Sequence, residues 1–178
     1  AKPYLDEGFD HIIFSYHGTP RRHLTKRDPS GCYCLQTDDC CKKTHPVHSI
    51  CYQHQVYKTT WDFAQKAGIP EDKYTVTFQS RVSPDTDPWL TPYTDETIEK
   101  LARGSVDDLL IMSPAFVSDC LETTEELGIE GKEEFLEAGG ESFYLIPCLN
   151  DSADWIDVLE KFVDNFRTDQ YRENNVAN

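Results

Sequence analysis

His11-Ile12-Ile13-Phe14-Ser15-Tyr16-His17-Gly18-Thr19-Pro20 opens on a nearly continuous apolar run that stops at a histidine and a glycine. A short unbroken run of β-formers, rather than strict apolar–polar alternation, is what a strand covered on both faces requires. Three further runs share the pattern: 74–79 (YTVTFQ), 109–112 (LLIM) and 143–146 (FYLI). Helices are expected between them. One covers 47–67 and stops at Gly68 with Pro70 just beyond, a normal C-terminal signal. A second starts near Thr94, read as an N-cap ahead of Asp95 and Glu96, and ends before Gly104. Others are expected over 119–127, 131–138 and 153–166. The alternation predicts an α/β fold, a four-stranded parallel sheet flanked by helices on both sides. The domain spans 1–167, and 168–178 is a polar tail expected to fray.

The 178 residues carry 32 acidic and 17 basic side chains, a net charge of −15. Nucleic-acid phosphates would be repelled over most of such a surface, so no nucleic-acid partner is expected. The one local exception is Arg21, Arg22, His23, Lys26 and Arg27. This basic cluster is either a solvated loop or a rim that attracts an anionic substrate carboxylate. No stretch reaches the roughly eighteen consecutive apolar residues of a membrane span, and residues 1–10 are too polar for a signal peptide. The expected address is cytoplasmic, with peripheral contact at the inner membrane left open.

In open parallel sheets ligands gather at the carboxyl ends of the strands. The first strand ends at His17, the second at Gln79-Ser80-Arg81, and the third at Ser113-Pro114, running on through Phe116, Ser118 and Asp119 to Glu122. No GxGxxG or P-loop pattern follows any strand, which disfavours a nucleotide. His17 is suited to act as base, acid or metal ligand, since an imidazole titrates near neutrality. Glu122 would face it across the rim; the alternative is that Glu122 and Asp119 only compensate a helix dipole. The long loop after the second strand holds Trp89 and Tyr93 between prolines. They form either an aromatic wall for a flat apolar ligand or a self-packed loop.

The stretches 15–20 (SYHGTP), 78–81 (FQSR), 88–102 (PWLTPYTDETIEKLA), 113–127 (SPAFVSDCLETTEEL) and 144–151 (YLIPCLND) resemble, in order and spacing, those of the ferrochelatase family. The resemblance covers nearly the whole chain. It implies a Rossmann-like, chelatase-type domain, the C-terminal half of a longer enzyme whose N-terminal lobe would close a porphyrin cleft. It implies insertion of Fe2+ into protoporphyrin IX to give protohaem, the last step of haem biosynthesis, with porphyrin and ferrous iron as partners. On this resemblance His17 is the proton acceptor or iron-delivering group and Glu122 its relay, the two together holding Fe2+. Trp89, Tyr93, Gln79 and Asp119 are the expected substrate-binding residues. Cys120 stands where some members carry a second histidine.

Five of the seven cysteines, Cys32, Cys34, Cys40, Cys41 and Cys51, crowd into a Cys-rich insertion at 28–54. Soft thiolates grouped in one loop suit zinc or an iron–sulfur cluster, and free thiols are the third option. The spacing C-x-C-x5-C-C-x9-C fits no common zinc pattern well. Some bacterial ferrochelatases are similar in having an internal cysteine segment that binds a 2Fe-2S cluster. That resemblance implies a cluster on Cys32, Cys34, Cys41 and Cys51, with Cys40 as the spare. Two other functions compete: a cobalt or nickel chelatase of related fold, and a non-enzymatic iron–sulfur module. The second leaves the convergence of His17, Gln79 and Glu122 unexplained.

Overall fold

The four apolar runs pair into one sheet, every neighbouring pair parallel, in the order β2-β1-β3-β4. The strands are β1 His11–His17, β2 Tyr74–Gln79, β3 Asp108–Met112 and β4 Ser142–Leu145. The computed structural model describes residues 1–82 and 87–167, so the expected polar tail, 168–178, lies outside the described residues. Seven α-helices are described: α1 Lys2–Glu7, α2 Arg21–Arg27, α3 Tyr52–Ala67, α4 Thr94–Arg103, α5 Leu121–Thr124, α6 Lys132–Glu137 and α7 Ala153–Arg167.

Alternate residues of the strands face opposite layers, which is why the runs had to be apolar throughout. Ile12, Phe14, Tyr16, Val76 and Leu110 pack with Val56 and Ala64 of α3. Ile13, Leu109, Ile111 and Phe143 pack with Ile98 and Ala102 of α4 and Phe135 of α6. The chain leaves β1 for β2 on one side and returns to β3 on the other, so the strand order switches direction between β1 and β3. That is where an open α/β sheet forms its ligand crevice, and His17 and Ser113 lie at its lip.

Several element boundaries differ from expectation for local reasons. The helix expected over 47–67 is broken: Pro46–Ser49 forms one 3-10 turn, and α3 starts only after Cys51. His45 accepts a hydrogen bond from the Val47 amide and so caps the short turn separately. At the far end Gly68 adopts φ 71, the left-handed stop its sequence signals. Thr94 is the first residue of α4 rather than its cap; Tyr93 takes that place without a side-chain bond. The basic segment is not a loop but helix α2, entered through Pro20.

The helix expected over 119–127 is short α5 followed by a π-helical turn, Glu126–Gly131, in which the Glu130 amide bonds the Glu125 carbonyl at 3.0 Å. A Cβ on Gly131 would sit 3.1 Å from Ile98 Cδ1, and one on Gly128 3.2 Å from Leu145 Cδ2. The widened turn therefore lets two glycines bring backbone onto the core.

α7 is different in kind. None of its residues is buried, and Ile156, Leu159, Phe162 and Val163 are exposed along one side. An amphipathic helix with its apolar stripe in water is short of a partner surface.

Gly140 closes the turn before β4. A Cβ there would lie 2.1–2.5 Å from three ring atoms of Phe135, which is fully buried and has nowhere to retreat. Gly140→Ala should therefore destabilise the fold by about 1–3 kcal/mol, the usual cost of overpacking, read as a lower urea midpoint with unchanged slope.

Candidate active site

The strand register sets the site. His17 pairs with Gln79 at the ends of β1 and β2. The next residue, Gly18, donates its amide to the Gln79 carbonyl at 2.8 Å. A Cβ on Gly18 would fall 2.9 Å from that oxygen and 3.1 Å from the Trp89 ring. Only glycine lets the chain turn out of the strand with an indole lying against it.

His17 itself is exposed. Its Nδ1 lies 2.7 Å from the Gly18 carbonyl oxygen. A carbonyl only accepts, so Nδ1 carries a proton, and in the neutral ring Nε2 is then the bare lone pair. The His17 carbonyl accepts from the Tyr52 hydroxyl at 2.7 Å, and Phe116 lies beside the ring at 6.4 Å between centroids. A ring oriented by one nitrogen leaves the other free to take a proton or a metal ion.

Glu122 lies in the single turn of α5, on the same rim and half-exposed. Its carboxyl sits below the usual carboxylate range, first because its own backbone amide bonds it, then because the Cys120 thiol does, with the His17 imidazole adding attraction. Asp119 reaches the rim too, but both its oxygens are occupied. They accept from the Cys148 amide at 3.1 Å and from Asn150 Nδ2 at 2.6 Å. Asn150 first, then Cys148, keep that carboxyl low. Asp119 therefore joins the loops after β3 and β4. Ser113 is buried with its hydroxyl unpartnered among the described residues, an uncompensated polar atom at the lip of the crevice.

The two aromatic residues of the long loop part company. Trp89 stays at the His17 end, its segment held antiparallel to 18–21 by Leu90 N to Thr19 O at 3.0 Å and Arg21 N to Pro88 O at 2.8 Å. Tyr93 instead lies under the Arg81 guanidinium, 4.0 Å from ring centroid to Cζ. It lines a separate cavity of about 270 Å³ with Gln79, Ser80, Glu126 and Glu130. Gln79 is buried, 5% exposed, with its amide taken up by protein partners.

A larger cavity, about 560 Å³, opens beside His17 toward the cysteine segment and is lined by Leu24, Lys26, Arg27, Cys34 and Cys51 among others. Arg22 is tied to Asp87. Lys26 and Arg27 make no ion pair with any described residue and point a positive edge at this cavity.

Four of the five clustered thiols are buried: Cys34, Cys40, Cys41 and Cys51; Cys32 is exposed, its sulfur 3.9 Å from Ser30 Oγ. Cys40 and Cys41 sulfurs are 4.0 Å apart, and Cys41 and Cys34 neighbour Cys51. Those thiols, Cys41 first, and the first amides of α3 pull Cys51 down to about 5, while burial pushes Cys34 up to about 12. Among the described residues no three His, Cys, Asp or Glu side chains already converge as a metal site.

The framework around the thiols was not anticipated. Asp28 accepts from the Ser30, Tyr33 and Cys34 amides at 2.9 Å each. His48 Nε2–H and His54 Nδ1–H donate to the Cys40 and Cys41 carbonyls at 3.0 Å, their rings stacked 3.8 Å apart. Asp28-Pro29-Ser30-Gly31 does carry the signature of a side-chain-closed turn; the two histidines have no local signal.

A carbon-13 titration should place the Glu122 midpoint below the ordinary 4.5, and Cys120→Ala should raise it, since the thiol bond to the carboxylate is lost.

The ferrochelatase family profile matches residues 2–166. The ferrochelatases of Opitutus terrae and Ectopseudomonas mendocina are each 49% identical, over 89% and 90% of this chain and 46% of their own lengths. That of Pseudomonas entomophila is 47% identical over 93% of this chain and 49% of its own length. The chain thus spans about half the length of the curated relatives it matches. By family profile and by relatives alike, the chain belongs to the ferrochelatase family.

Proposed function

We propose that this chain supplies the C-terminal wall of a ferrochelatase, a lyase that inserts Fe2+ into protoporphyrin IX to form protohaem at the end of haem biosynthesis. The observation that carries the proposal is the fixed tautomer of His17, with Nδ1–H on the Gly18 carbonyl and Nε2 bare. Metal insertion requires two pyrrole N–H protons to leave as the ion enters. A neutral imidazole nitrogen accepts such a proton at physiological pH, and general-base catalysis of this kind contributes roughly 10²–10⁴-fold. Glu122, ionised and on the same rim, is the group to relay the proton or hold the incoming Fe2+. Trp89, packed on Gly18, offers an apolar face to the flat macrocycle at the His17 end. Lys26 and Arg27 are suited to the carboxylates of the porphyrin edge.

The rest of the cleft would come from an N-terminal lobe. Residues 1–167 form one domain in this account, with 28–54 as an insertion. The uncovered apolar stripe of α7 supports a missing partner surface. No described helix is long and apolar enough to cross a membrane; the proposed address is cytoplasmic, with peripheral contact at the inner membrane.

The cysteine segment is proposed to hold a 2Fe-2S cluster, which when bound supplies a one-electron redox centre. The expected set is Cys32, Cys34, Cys41 and Cys51 with Cys40 as the spare; burial and the 4.0 Å separation from Cys41 favour Cys40 over exposed Cys32, so Cys34, Cys40, Cys41 and Cys51 are the proposed ligands. The Cys51 sulfur, already drawn toward thiolate by its donors, is the natural first ligand. Two adjacent cysteines can both serve because His48 and His54 restrain their carbonyls.

In the enzyme completed with the other lobe, His17→Ala should lower iron insertion by at least about a hundredfold; near-normal chelation would refute the assignment. Anaerobic reconstitution should give a coloured protein with matched iron and sulfide. Colour should survive Cys32→Ser and be lost in Cys40→Ser, whereas a colourless, iron-free product would exclude the cluster.

A further inference from the structure

Gln79 was expected to touch substrate; its side chain is 5% exposed, and its oxygen and nitrogen both have protein partners. Oε1 accepts from Ser15 Oγ at 2.8 Å. Nε2 lies 2.8 Å from the Glu122 carbonyl oxygen and 3.3 Å from Glu126 Oε2. Both neighbours of the nitrogen only accept, so chemistry fixes which end of the amide is which. The direction of the whole chain follows. Ser15 gives its proton to Gln79 and must accept from Thr94, at 2.9 Å. Thr94, its own proton used, must accept from Thr77, at 2.8 Å. Ser15, Thr77 and Thr94 are at most 2% exposed. A buried, one-directional relay therefore runs Thr77, Thr94, Ser15, Gln79, Glu122, crossing β2, α4, β1 and α5.

Gln79 also stands opposite His17 in the strand register. One residue thus holds the histidine by its backbone and the Glu122 turn by its amide. α5 has four residues and is followed by the π-helical turn; its other anchors are the Cys120–Thr123 capping bonds, the buried Thr123 and the Asp119–Asn150 pair just ahead of it. Ser80, held at φ 60, adds a second tie by donating to Glu126 Oε2 at 2.8 Å.

We infer that Gln79 is a positioning residue that sets the separation of His17 and Glu122, oriented by the Thr77–Thr94–Ser15 relay, and that it contacts no ligand. The inference rests on reading His17 and Glu122 as a metal-handling pair. Groups of this kind behind metal ligands typically change metal affinity by about 10–100-fold when removed.

The test uses this chain, Co2+ as the probe and four variants. Wild type should bind Co2+ with an absorption lost in His17→Ala. Gln79→Leu should weaken binding by at least about tenfold, and Ser15→Ala in the same direction. Val56→Ala, which loosens the α3 side of the core, should leave affinity unchanged at a comparable loss in melting temperature. Amide exchange gives a readout independent of metal. Thr124 and Glu125, bonded to the Cys120 and Leu121 carbonyls at 2.8 Å, should exchange at least tenfold faster in Gln79→Leu and not in Val56→Ala. Unchanged exchange together with unchanged affinity in Gln79→Leu would overturn the inference. If wild type binds no Co2+ while the exchange effect appears, the tether stands and it is the metal-handling reading that fails.

Discussion

The pairing of His17 with Gln79 at the carboxyl ends of β1 and β2 is the constraint on which the site depends. A parallel sheet fixes strand register through its side-chain alternation, so a slip of one residue would turn Phe14 and Tyr16 from the α3 layer into the α4 layer, which is packed for other side chains. The same register brings a histidine, a glycine and a buried amide to one edge. From there every contact is short. Gly18 returns a backbone bond to Gln79, Trp89 packs on Gly18, and the Gln79 amide holds the Glu122 turn. The core that stabilises the fold and the chain of hydroxyls that positions the site are therefore built on the same strands.

The cysteine segment is attached to that site rather than merely near it. Cys51 precedes α3, and the first residue of α3, Tyr52, donates its hydroxyl to the His17 carbonyl at 2.7 Å. Cys34 and Cys51 share a cavity wall with His17. One residue and one hydrogen bond separate Cys51 from the histidine. Asp28 organises the opposite side of the segment, its carboxyl kept well below the usual range by the Cys34 amide first and then by Ser30.

The sheet was legible because its physics is local. Runs 74–79 and 109–112 match β2 and most of β3, and Gly68 and Gly104 end α3 and α4 as their positions imply. The position of His17 at the end of β1 was legible from the run of apolar residues that stops there. What could not be read is long-range. Nothing near Gln79 in sequence says that its amide meets Ser15 and Glu122, 64 and 43 residues away. Nor does anything near Asp119 say that Asn150 bonds both its amide and its carboxylate from 31 residues away. Thr94 has the composition of a cap, but a buried hydroxyl network outbids the helix end. The π-helical turn after Glu125 follows from glycines pressed on Ile98 and Leu145, contacts no pattern of spacing reveals.

The chemistry of the crevice depends on which nitrogen of His17 faces it. Long-range proton–nitrogen correlation on uniformly nitrogen-15-labelled chain reports this directly at neutral pH. The geometry predicts Nδ1 protonated and Nε2 with the shift of a bare, pyridine-type nitrogen, and Nε2 the one that moves when Zn2+ is added. A His17 ring protonated on Nε2, or a metal response confined to Nδ1, would contradict it.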